Sequence, residues 1–436
     1  MQGFQKSFSE VIECAGLTAS SDNSNHGSQQ NSNSCNEISG ENFCNYLRNF
    51  DRVGRDTQEF VKNDVTYFVN DFWTAKQRQS NRIHEISYRA CFKAELPAFF
   101  IESLTNPGDL VLDPFMGRGT TLVQANLLGR VPYGNDISPL SKMLVAPRLS
   151  PPSMQQIKER LEVLEREFDQ IEDIQVDDDL LVFFHPKTLK DISKLRDWFI
   201  QGTANGNLDA VDSWIRMVAL NRLTGHSAGF FSVYTLPPNQ ATTVDRQKKI
   251  NAKRNQTPEE KDIFSIILKK SKSLLSQYDY SHSTDVFGLS TGSASQLESI
   301  DNNLVSLIVT SPPFLDVVDY AKDNWLRAWF AGFSIDDVEI SIHKKVEDWT
   351  AFARECFIEF GRILKPGGFI AFEVGEVRNG SILLEDLVIE AIEGLNFKVH
   401  GVMINDQKFF KTSNSWGVSN NSKGTNTNRI VIVEKV

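Results

Sequence analysis

Two short runs of apolar residues predict buried strands, and each run ends in a turn of unusual composition. Residues 304–310 read Leu-Val-Ser-Leu-Ile-Val-Thr and are followed by Ser-Pro-Pro-Phe at 311–314. Residues 109–113 read Asp-Leu-Val-Leu-Asp and continue into Pro-Phe-Met-Gly-Arg-Gly-Thr-Thr at 114–121, after which 122–128 have helical spacing. Apolar runs of this length, bounded by Gly and Pro, are typical of strands that are buried on both faces.

The glycine-containing turn has the pattern of a nucleotide-binding unit. Strand, glycine-rich turn and helix open a doubly wound sheet, in which the glycines let the backbone approach a ligand and the helix N-terminus favours an anionic group. Residues 131–136 predict the next strand and place Asp136 about twenty residues past the turn, where a ribose-binding carboxylate is expected. Gly117-x-Gly119 lacks the third glycine of the dinucleotide fingerprint, which favours a smaller adenosyl ligand. The alternative is a tight turn with a solvent-exposed Asp136.

The Ser-Pro-Pro-Phe turn offers a rigid acceptor beside an aromatic ring. Its two prolines end the strand and lack N–H donors, so the carbonyls of Ser311 and Pro312 remain to accept hydrogen bonds from a ligand. Phe314 adds a flat face next to these carbonyls. The combination suits a flat heterocycle that is held by its exocyclic amine. A turn that merely ends a strand is the alternative.

Together the two turns resemble those of the DNA methyltransferases that modify exocyclic amino groups, most closely the cytosine-N4 enzymes. In that family the glycine turn reads Asp-Pro-Phe-x-Gly-x-Gly-Thr-Thr, as residues 113–121 do, and the catalytic motif reads Ser-Pro-Pro-Tyr/Phe, as residues 311–314 do. Residues 86–97 resemble the segment that packs against the methionine end of S-adenosyl-L-methionine, and residues 364–372 resemble a loop and strand of the same core.

The resemblance covers roughly residues 80–150 and 285–436. It implies an α/β fold, a Rossmann-like class I S-adenosylmethionine-dependent methyltransferase sheet with a mostly helical insertion. It also implies a site-specific DNA methyltransferase that transfers a methyl group directly to the N4 amine of a flipped-out cytosine. The chain has no Pro-Cys dipeptide, the usual setting of the thiol in ring-carbon methylation, and direct transfer agrees with that. Adenine-N6 methylation is the first alternative; an RNA methyltransferase and a non-catalytic nucleic-acid-binding subunit are further ones.

The resemblance also assigns roles to individual residues. The predicted catalytic residues form the Ser-Pro-Pro-Phe turn: Ser311, Pro312, Pro313 and Phe314. The predicted cofactor-binding residues come from the glycine turn, the following strand and a later loop: Asp113, Phe115, Gly117, Gly119, Thr120, Asp136 and Ser293. The family often carries Gly-Asp-Ala before the catalytic strand, where this chain has Gly292-Ser293-Ala294, so the contact to the adenine amine is expected to be weaker.

Composition and resemblance divide the chain into four parts. Residues 1–50 are polar and predict a disordered tail, because few large apolar residues are present to build a core. Residues 51–150 are expected to form the cofactor-binding half of the core and residues 285–436 the catalytic half. Residues 151–284 are expected to form the helical insertion and to recognise the target DNA. Helical spacing recurs within the insertion at 154–171, 187–199 and 214–223.

The net charge of −10 argues against a polyanionic partner. The charges are unevenly distributed, however, and one segment of the chain is strongly basic. Residues 246–272 hold nine basic and three acidic residues, a local excess of +6. Such a stripe is typical of a phosphate-contacting surface, with a solvated helix face as the alternative. The predicted DNA-binding residues are Arg246, Lys248, Lys249, Lys253 and Arg254. Double-stranded DNA is therefore the expected partner, a restriction or defence protein is a further candidate, and the oligomeric state stays open.

The five cysteines contain no Cys-x-x-Cys pair, which predicts reduced thiols, a cytoplasmic location and no zinc site. The sequence has no apolar run of about eighteen residues, so no membrane span is expected.

Overall fold

The structure of the chain is a computed structural model. It describes residues 38–51, 54–73, 81–89, 91–171, 174–280, 287–315, 320–338, 343–378, 380–406 and 428–436. The α-helices within these residues are α1 (Gly40–Arg48), α2 (Glu95–Leu104), α3 (Thr120–Leu127), α4 (Pro139–Leu149), α5 (Met154–Asp169), α6 (Pro186–Asn205), α7 (Ala210–Leu220), α8 (Val244–Arg254), α9 (Ile263–Leu275), α10 (Tyr320–Ala331), α11 (Val346–Ile363) and α12 (Leu384–Ile392). The strands are β1 (Gln58–Lys62), β2 (Val65–Asn70), β3 (Leu110–Asp113), β4 (Val131–Asp136), β5 (Gly288–Thr291), β6 (Val305–Thr310), β7 (Leu364–Val374), β8 (Glu376–Val377), β9 (Ile382–Leu383), β10 (Phe397–Asn405) and β11 (Asn428–Lys435).

Nine of these strands form one sheet, in the order β1-β2-β10-β11-β7-β6-β3-β4-β5. The five strands from β7 to β5 are parallel, and β11 runs antiparallel between β7 and β10. The strands that follow β3 in sequence, β4 and β5, lie on one side of it in the sheet. The strand that follows β6, which is the other neighbour of β3, lies on the opposite side. In a doubly wound sheet this switch point leaves a crevice at the carboxyl ends of the strands.

The central strands β3 and β6 are mostly apolar because helices cover both faces of the sheet. All six residues of β6 are buried, and successive side chains point to opposite faces. Ile308 packs in the cluster that includes Phe357 of α11, whereas Leu307 packs in the cluster that includes Phe100 of α2. The run 304–310 was expected to be such a strand, and it is.

The insertion between β4 and β5 contains the helices α5 to α9. Its apolar residues form a third cluster, in which Trp214 and Phe231 are fully buried. The helices expected over 154–171, 187–199 and 214–223 correspond to α5, α6 and α7. This agrees with a mostly helical insertion, while its role in recognition stays a prediction.

The expectation of a disordered tail over residues 1–50 is wrong for its last part. Ser39 caps α1, and Phe43 and Leu47 are buried against α2 in the core. The apolar residues Phe43, Leu47 and Phe50 have the i, i+4, i+7 spacing of a helix face, but the polar stretch before them dominated the composition. Residues 1–37 lie outside the described part of the chain.

The assignment of residues 51–150 to the cofactor half also needs correction. β1 and β2 form an antiparallel hairpin, and β2 pairs with β10. The hairpin therefore extends the far edge of the sheet, next to strands of the 285–436 segment, and not the edge formed by β4 and β5.

Candidate active site

The carboxyl ends of the parallel strands bring the two predicted turns together. Asp113 ends β3, Asp136 ends β4, and Ser311 directly follows β6. Since β3 pairs with both β4 and β6, these three residues lie along one edge of the sheet. This edge is the crevice that the strand order leaves at the switch point.

A pocket at this edge contains most of the predicted site residues. Those that line it are Asp113, Phe115, Gly117, Thr120, Asp136, Ser293, Ser311 and Pro313. Among the described residues, Gly119, Pro312 and Phe314 are not part of the lining. Pro312 is buried, and Phe314 is half-buried against the apolar cluster on the α11 face of the sheet. The stacking role of Phe314 therefore stays a prediction.

The two glycines of the turn have conformations that other residues rarely adopt. Gly117 and Gly119 have φ values of 48° and 73°, in the left-handed region. A Cβ atom on Gly119 would lie 2.5 Å from a methyl group of Val145, so α3 could not begin so close to α4 with a larger residue there. The turn thus brings Gly117 and Thr120 to the pocket wall.

Asp136, on the neighbouring strand β4, stabilises the glycine turn through hydrogen bonds. Its carboxylate accepts hydrogen bonds from the backbone N–H of Gly117, at 2.8 Å, and of Ser138, at 2.9 Å. Burial raises the pKa of this carboxyl, and the backbone bonds oppose that effect. The alternative of a solvent-exposed Asp136 is wrong, because the side chain is partly buried and lines the pocket.

The side chain of Asp113 is buried, and the hydrogen-bond donors around its carboxylate in the described residues are neutral groups. Its carboxylate accepts from the hydroxyl of Thr310, at 2.6 Å, and from the N–H of Phe115, at 3.1 Å. Burial nevertheless raises the pKa of Asp113 to about 7. A cationic group in the pocket would favour the ionised carboxylate, which makes Asp113 suited to an ammonium ion.

Glu373 is a functional candidate that the sequence reasoning missed. It lies near the end of β7, the strand next to β6, its carboxyl is buried, and the nearby Ser311 side chain opposes the rise in its pKa. The side-chain amide of Asn428 donates to it at 2.6 Å. Burial raises the pKa of Glu373 to about 7. The available signal was one acidic residue inside the apolar run 369–374, since glutamate is almost never buried without a reason.

A family model matches the glycine turn and the residues before it. Residues 22–143 match the N6/N4 family model that is described as DNA methylase. The doubly wound sheet, with one antiparallel strand inserted beside β7, is the Rossmann-like α/β sheet that was expected.

Three curated type II methyltransferases match parts of the chain. Identity is 36% over 92 residues with "Type II methyltransferase M.MjaII" of Methanocaldococcus jannaschii, covering 21% of this chain and 17% of the relative. It is 23% over 350 residues with "Type II methyltransferase M.BsoBI" of Geobacillus stearothermophilus, covering 70% and 61%. It is 32% over 102 residues with "Type II methyltransferase M.MthZI" of Methanothermobacter thermautotrophicus, covering 23% and 28%. Each match spans less than two thirds of the relative's length.

A solved structure with some similarity to this chain is that of TrmN from Thermus thermophilus. The TM-score is 0.33 at 11% identity, over 80% of this chain and 50% of that chain.

The predicted DNA-binding residues of the insertion lie on α8. The predicted DNA-binding side chains Arg246, Lys248, Lys249, Lys253 and Arg254 are all exposed. The Arg254 guanidinium lies 3.7 Å from the centre of the Tyr234 ring, and Lys248 is 4.0 Å from Asp245. The neighbouring aromatic residues Phe230 and Phe231 are buried, so packing explains them.

The loop before α8 connects this helix to the pocket wall. The N–H of Ala241 donates to the Asp323 carbonyl at 2.9 Å, and the buried Arg327 donates to the Pro238 carbonyl at 2.8 Å. Arg327 also donates to the side chain of Asn324, which lines the pocket. The basic helix α8 is therefore joined through one loop to α10 and the pocket. No helix in the described part of the chain is long and apolar enough to cross a membrane.

Proposed function

We propose that the chain is a DNA methyltransferase that transfers the methyl group of S-adenosyl-L-methionine to the N4 amine of cytosine. The observation that carries this proposal is the pocket itself. Residues of the glycine turn and residues of the Ser-Pro-Pro-Phe turn line the same cavity, although about 190 residues separate Thr120 from Ser311 in the sequence. A cofactor and a base that must meet for direct transfer need such a shared pocket.

The cofactor half of the pocket suits an amino acid joined to a nucleoside. The buried Asp113 would hold the ammonium group, and the Thr120 hydroxyl would bind the carboxylate. Backbone at Gly117 and Gly119 would approach the methionine portion. The Asp136 carboxylate would accept from the ribose hydroxyls, and Ser293 would accept from the adenine amine. Phe115, half-buried in the same lining, would contact the adenosyl group.

The catalytic half of the pocket suits a flat base with an exocyclic amine. S-adenosylmethionine supplies an activated methyl group when bound. The target base would be rotated out of the duplex, because stacking otherwise buries its edge, and Phe314 would stack on it. Acceptors on Ser311 and Pro312 would hold the amine hydrogens and orient the nitrogen lone pair. Pro312 and Pro313 would keep these acceptors in place.

Glu373 gives this arrangement an acceptor for a proton. The Ser311 hydroxyl would donate its hydrogen to Glu373, which leaves its oxygen lone pairs to accept from the amine. When the amine nitrogen bonds to the methyl carbon it becomes positively charged and must lose one proton. Ser311 can take that proton while it passes its own to the Glu373 carboxylate, which restores a neutral methylated amine.

Cytosine is proposed over adenine because the first residue of the catalytic turn is serine, which the resemblance associates with cytosine-N4 enzymes. The same geometry serves the N6 amine of adenine, which stays the alternative. Double-stranded DNA would contact the exposed basic side chains of α8. Action in the cytoplasm beside a restriction or defence protein is part of the same proposal.

The proposal can be tested with the purified chain, tritiated S-adenosylmethionine and duplex DNA of mixed sequence. Tritium should become acid-insoluble with the DNA and should not with the Ser311→Ala variant under the same conditions. If calorimetry shows cofactor binding by a folded protein, yet no duplex DNA becomes labelled, DNA methylation is excluded for the sequences tried.

A further inference from the structure

Arg118, the residue between the two glycines of the turn, makes contacts that the sequence does not indicate. Its Nη1 atom donates to the carbonyl of Ile86 at 2.8 Å and its Nη2 atom to the carbonyl of Phe92 at 3.3 Å. Its Nε atom donates to the Thr120 hydroxyl at 3.1 Å. One guanidinium thus joins the glycine turn, the segment that precedes α2 and a residue of the pocket wall.

A second arginine lies behind Arg118. Arg148 is 1% exposed and donates to the carbonyls of Leu144, Ile83 and Arg118 itself. Among the described residues, no carboxylate forms an ion pair with either arginine, although buried cations usually have one. The neighbouring His84 shows the effect of this charge, because burial and the two arginines lower its pKa to about 3.

The Thr120 hydroxyl is therefore oriented by a cation. Since Arg118 donates to its oxygen, the hydroxyl hydrogen must point away from the guanidinium. Thr120 lines the pocket, and so does Asp113, a buried carboxylate. One wall of the pocket thus has a hydroxyl backed by two uncompensated positive charges, and another has a negative group. This polarity is complementary to a zwitterionic amino acid.

We propose that Arg118, supported by Arg148, is the positioning residue through which the pocket selects the carboxylate of its cofactor. It fixes the Thr120 hydroxyl as a donor and supplies the positive charge that stabilises the anion. The inference deepens the proposed function and rests on S-adenosylmethionine as the cofactor. It predicts that the pocket distinguishes ligands by their carboxylate group, and not only by their adenosyl group.

The test compares two ligands that differ only in that group. Calorimetry of the full chain at pH 7.5 would measure the affinities of S-adenosylmethionine and of its decarboxylated counterpart, which keeps the adenosine, the sulfonium and the amine. The wild type should bind S-adenosylmethionine about tenfold or more tightly, as one charge-assisted contact requires. Arg118→Met should bring the two affinities to within about twofold, and Arg118→Lys should keep an intermediate ratio.

Arg130 provides a matched control. It is also a buried arginine at one end of α3, its Nε atom donates to a threonine hydroxyl, and its other donors contact carbonyls. It lies at the opposite end of the helix from the pocket. Arg130→Met should cost a similar amount of stability and leave the ratio of affinities at the wild-type value.

Three results would overturn the inference, and a fourth would overturn the proposed function on which it rests. Equal affinities in the wild type would exclude selection of the carboxylate while leaving the proposed cofactor intact. If Arg118→Met weakens both affinities by the same factor, their ratio is unchanged. Arg118 would then serve only to hold residues 84–92 in place. If Arg118→Met does not fold, Arg118→Lys is measured in its place. A wild-type ratio of the two affinities in that variant, with both ligands weakened equally, leads to the same conclusion. Binding of neither ligand by the wild type would remove the proposed function itself.

Discussion

Ser311 is held between the sheet and the pocket by two different kinds of contact. Its position is fixed by β6 and by the two prolines that follow, and the carbonyl of Pro313 accepts from the indole N–H of Trp349 at 2.9 Å. Glu373 is the proposed hydrogen-bond acceptor of its hydroxyl. The residue is therefore preorganised before a base arrives, which is the condition under which a polar contact lowers a barrier.

Ser311→Ala should lower the single-turnover rate of methyl transfer about a hundredfold to a thousandfold, the effect of one lost positioned contact of about 2.7–4 kcal/mol. The affinity for S-adenosylmethionine should change little, because the proposed contact of the serine is with the base and not with the cofactor. Rapid-quench kinetics with saturating cofactor would measure the rate. A full rate in the variant would mean that the backbone carbonyls alone hold the amine.

Glu373 should give the reaction a dependence on pH. Its carboxylate accepts the proton only when ionised, and its pKa lies at about 7, so the single-turnover rate should rise with pH up to about 7 and then level. Glu373→Gln keeps the shape but cannot accept the proton, so its rate should be lower and flat across this range. Saturating cofactor is required, since the pKa of Asp113 is also about 7. An unchanged profile in the glutamine variant would remove Glu373 from the reaction.

Glu373 should also affect stability, in the opposite direction to most carboxyls. Because its pKa is higher in the folded chain than in the unfolded one, the protonated form stabilises the fold and this contribution is lost as the pH rises through about 7. The melting temperature of Glu373→Gln, relative to the wild type, should therefore increase between pH 5 and pH 8. A difference that does not vary with pH would contradict the raised pKa.

At the scale of elements, the sheet and the two turns were predictable because their signals are local. Strand, glycine turn and helix occupy 110–127 without a break, and the two prolines mark the end of β6 within two residues. The partners of Ser311 and Arg118 were not predictable, since Glu373 is 62 residues from Ser311, and the carbonyls that Arg118 contacts are 26 to 34 residues away. Such contacts depend on which strands and loops meet in the fold.

The helix α1 was missed for another reason. Its buried face consists of few residues inside a polar stretch, and composition averages over both faces of a helix. The burial is nevertheless complete at Leu47, which is 0% exposed and packs with residues of α2 and the sheet. The helix is part of the core and not an appendage.

Leu47→Ala should accordingly destabilise the protein by about 2–5 kcal/mol, the usual effect of removing a buried leucine side chain. Chemical denaturation would measure it. Glu41→Gln, at an exposed position of the same helix, should stay within about 0.5 kcal/mol of the wild type. If both variants were equally stable, residues 40–48 would behave as the tail that their composition suggested.

The basic helix α8 should contribute to DNA affinity through phosphates. Reversing Arg246, Lys249 and Lys253 to glutamate should weaken DNA binding and lower the slope of log affinity against log salt by about one for each lost contact. S-adenosylmethionine affinity should be unchanged, since none of the three lines the pocket. Fluorescence anisotropy across a salt series would measure both quantities.

Lys269→Glu with Lys272→Glu is the matched control, because both side chains are exposed on α9. If this pair lowers affinity and salt slope while the α8 variants do not, the DNA surface follows α9 instead. If neither set has an effect, the role assigned to residues 151–284 in DNA recognition is wrong.

At the scale of the whole molecule, an acidic chain of net charge −10 presents a basic helix that a single loop joins to the pocket wall. The sheet provides the rigid frame: its switch point creates the crevice, β3 and β4 position two carboxylates, and β6 and β7 position Ser311 and Glu373. The basic helix at the surface and the polar side chains at the strand ends are thus both connected to one cavity.

The most direct test of this account identifies the methylated nucleoside. Wild-type chain and the Ser311→Ala variant would be expressed in a host whose DNA lacks N4-methylcytosine, and the DNA would be digested and analysed by mass spectrometry. The account predicts N4-methylcytosine with the wild type and far less of it with the variant. N6-methyladenine in its place would contradict the assignment to cytosine, and DNA with neither modified nucleoside, despite folded protein that binds S-adenosylmethionine, would contradict the account as a whole.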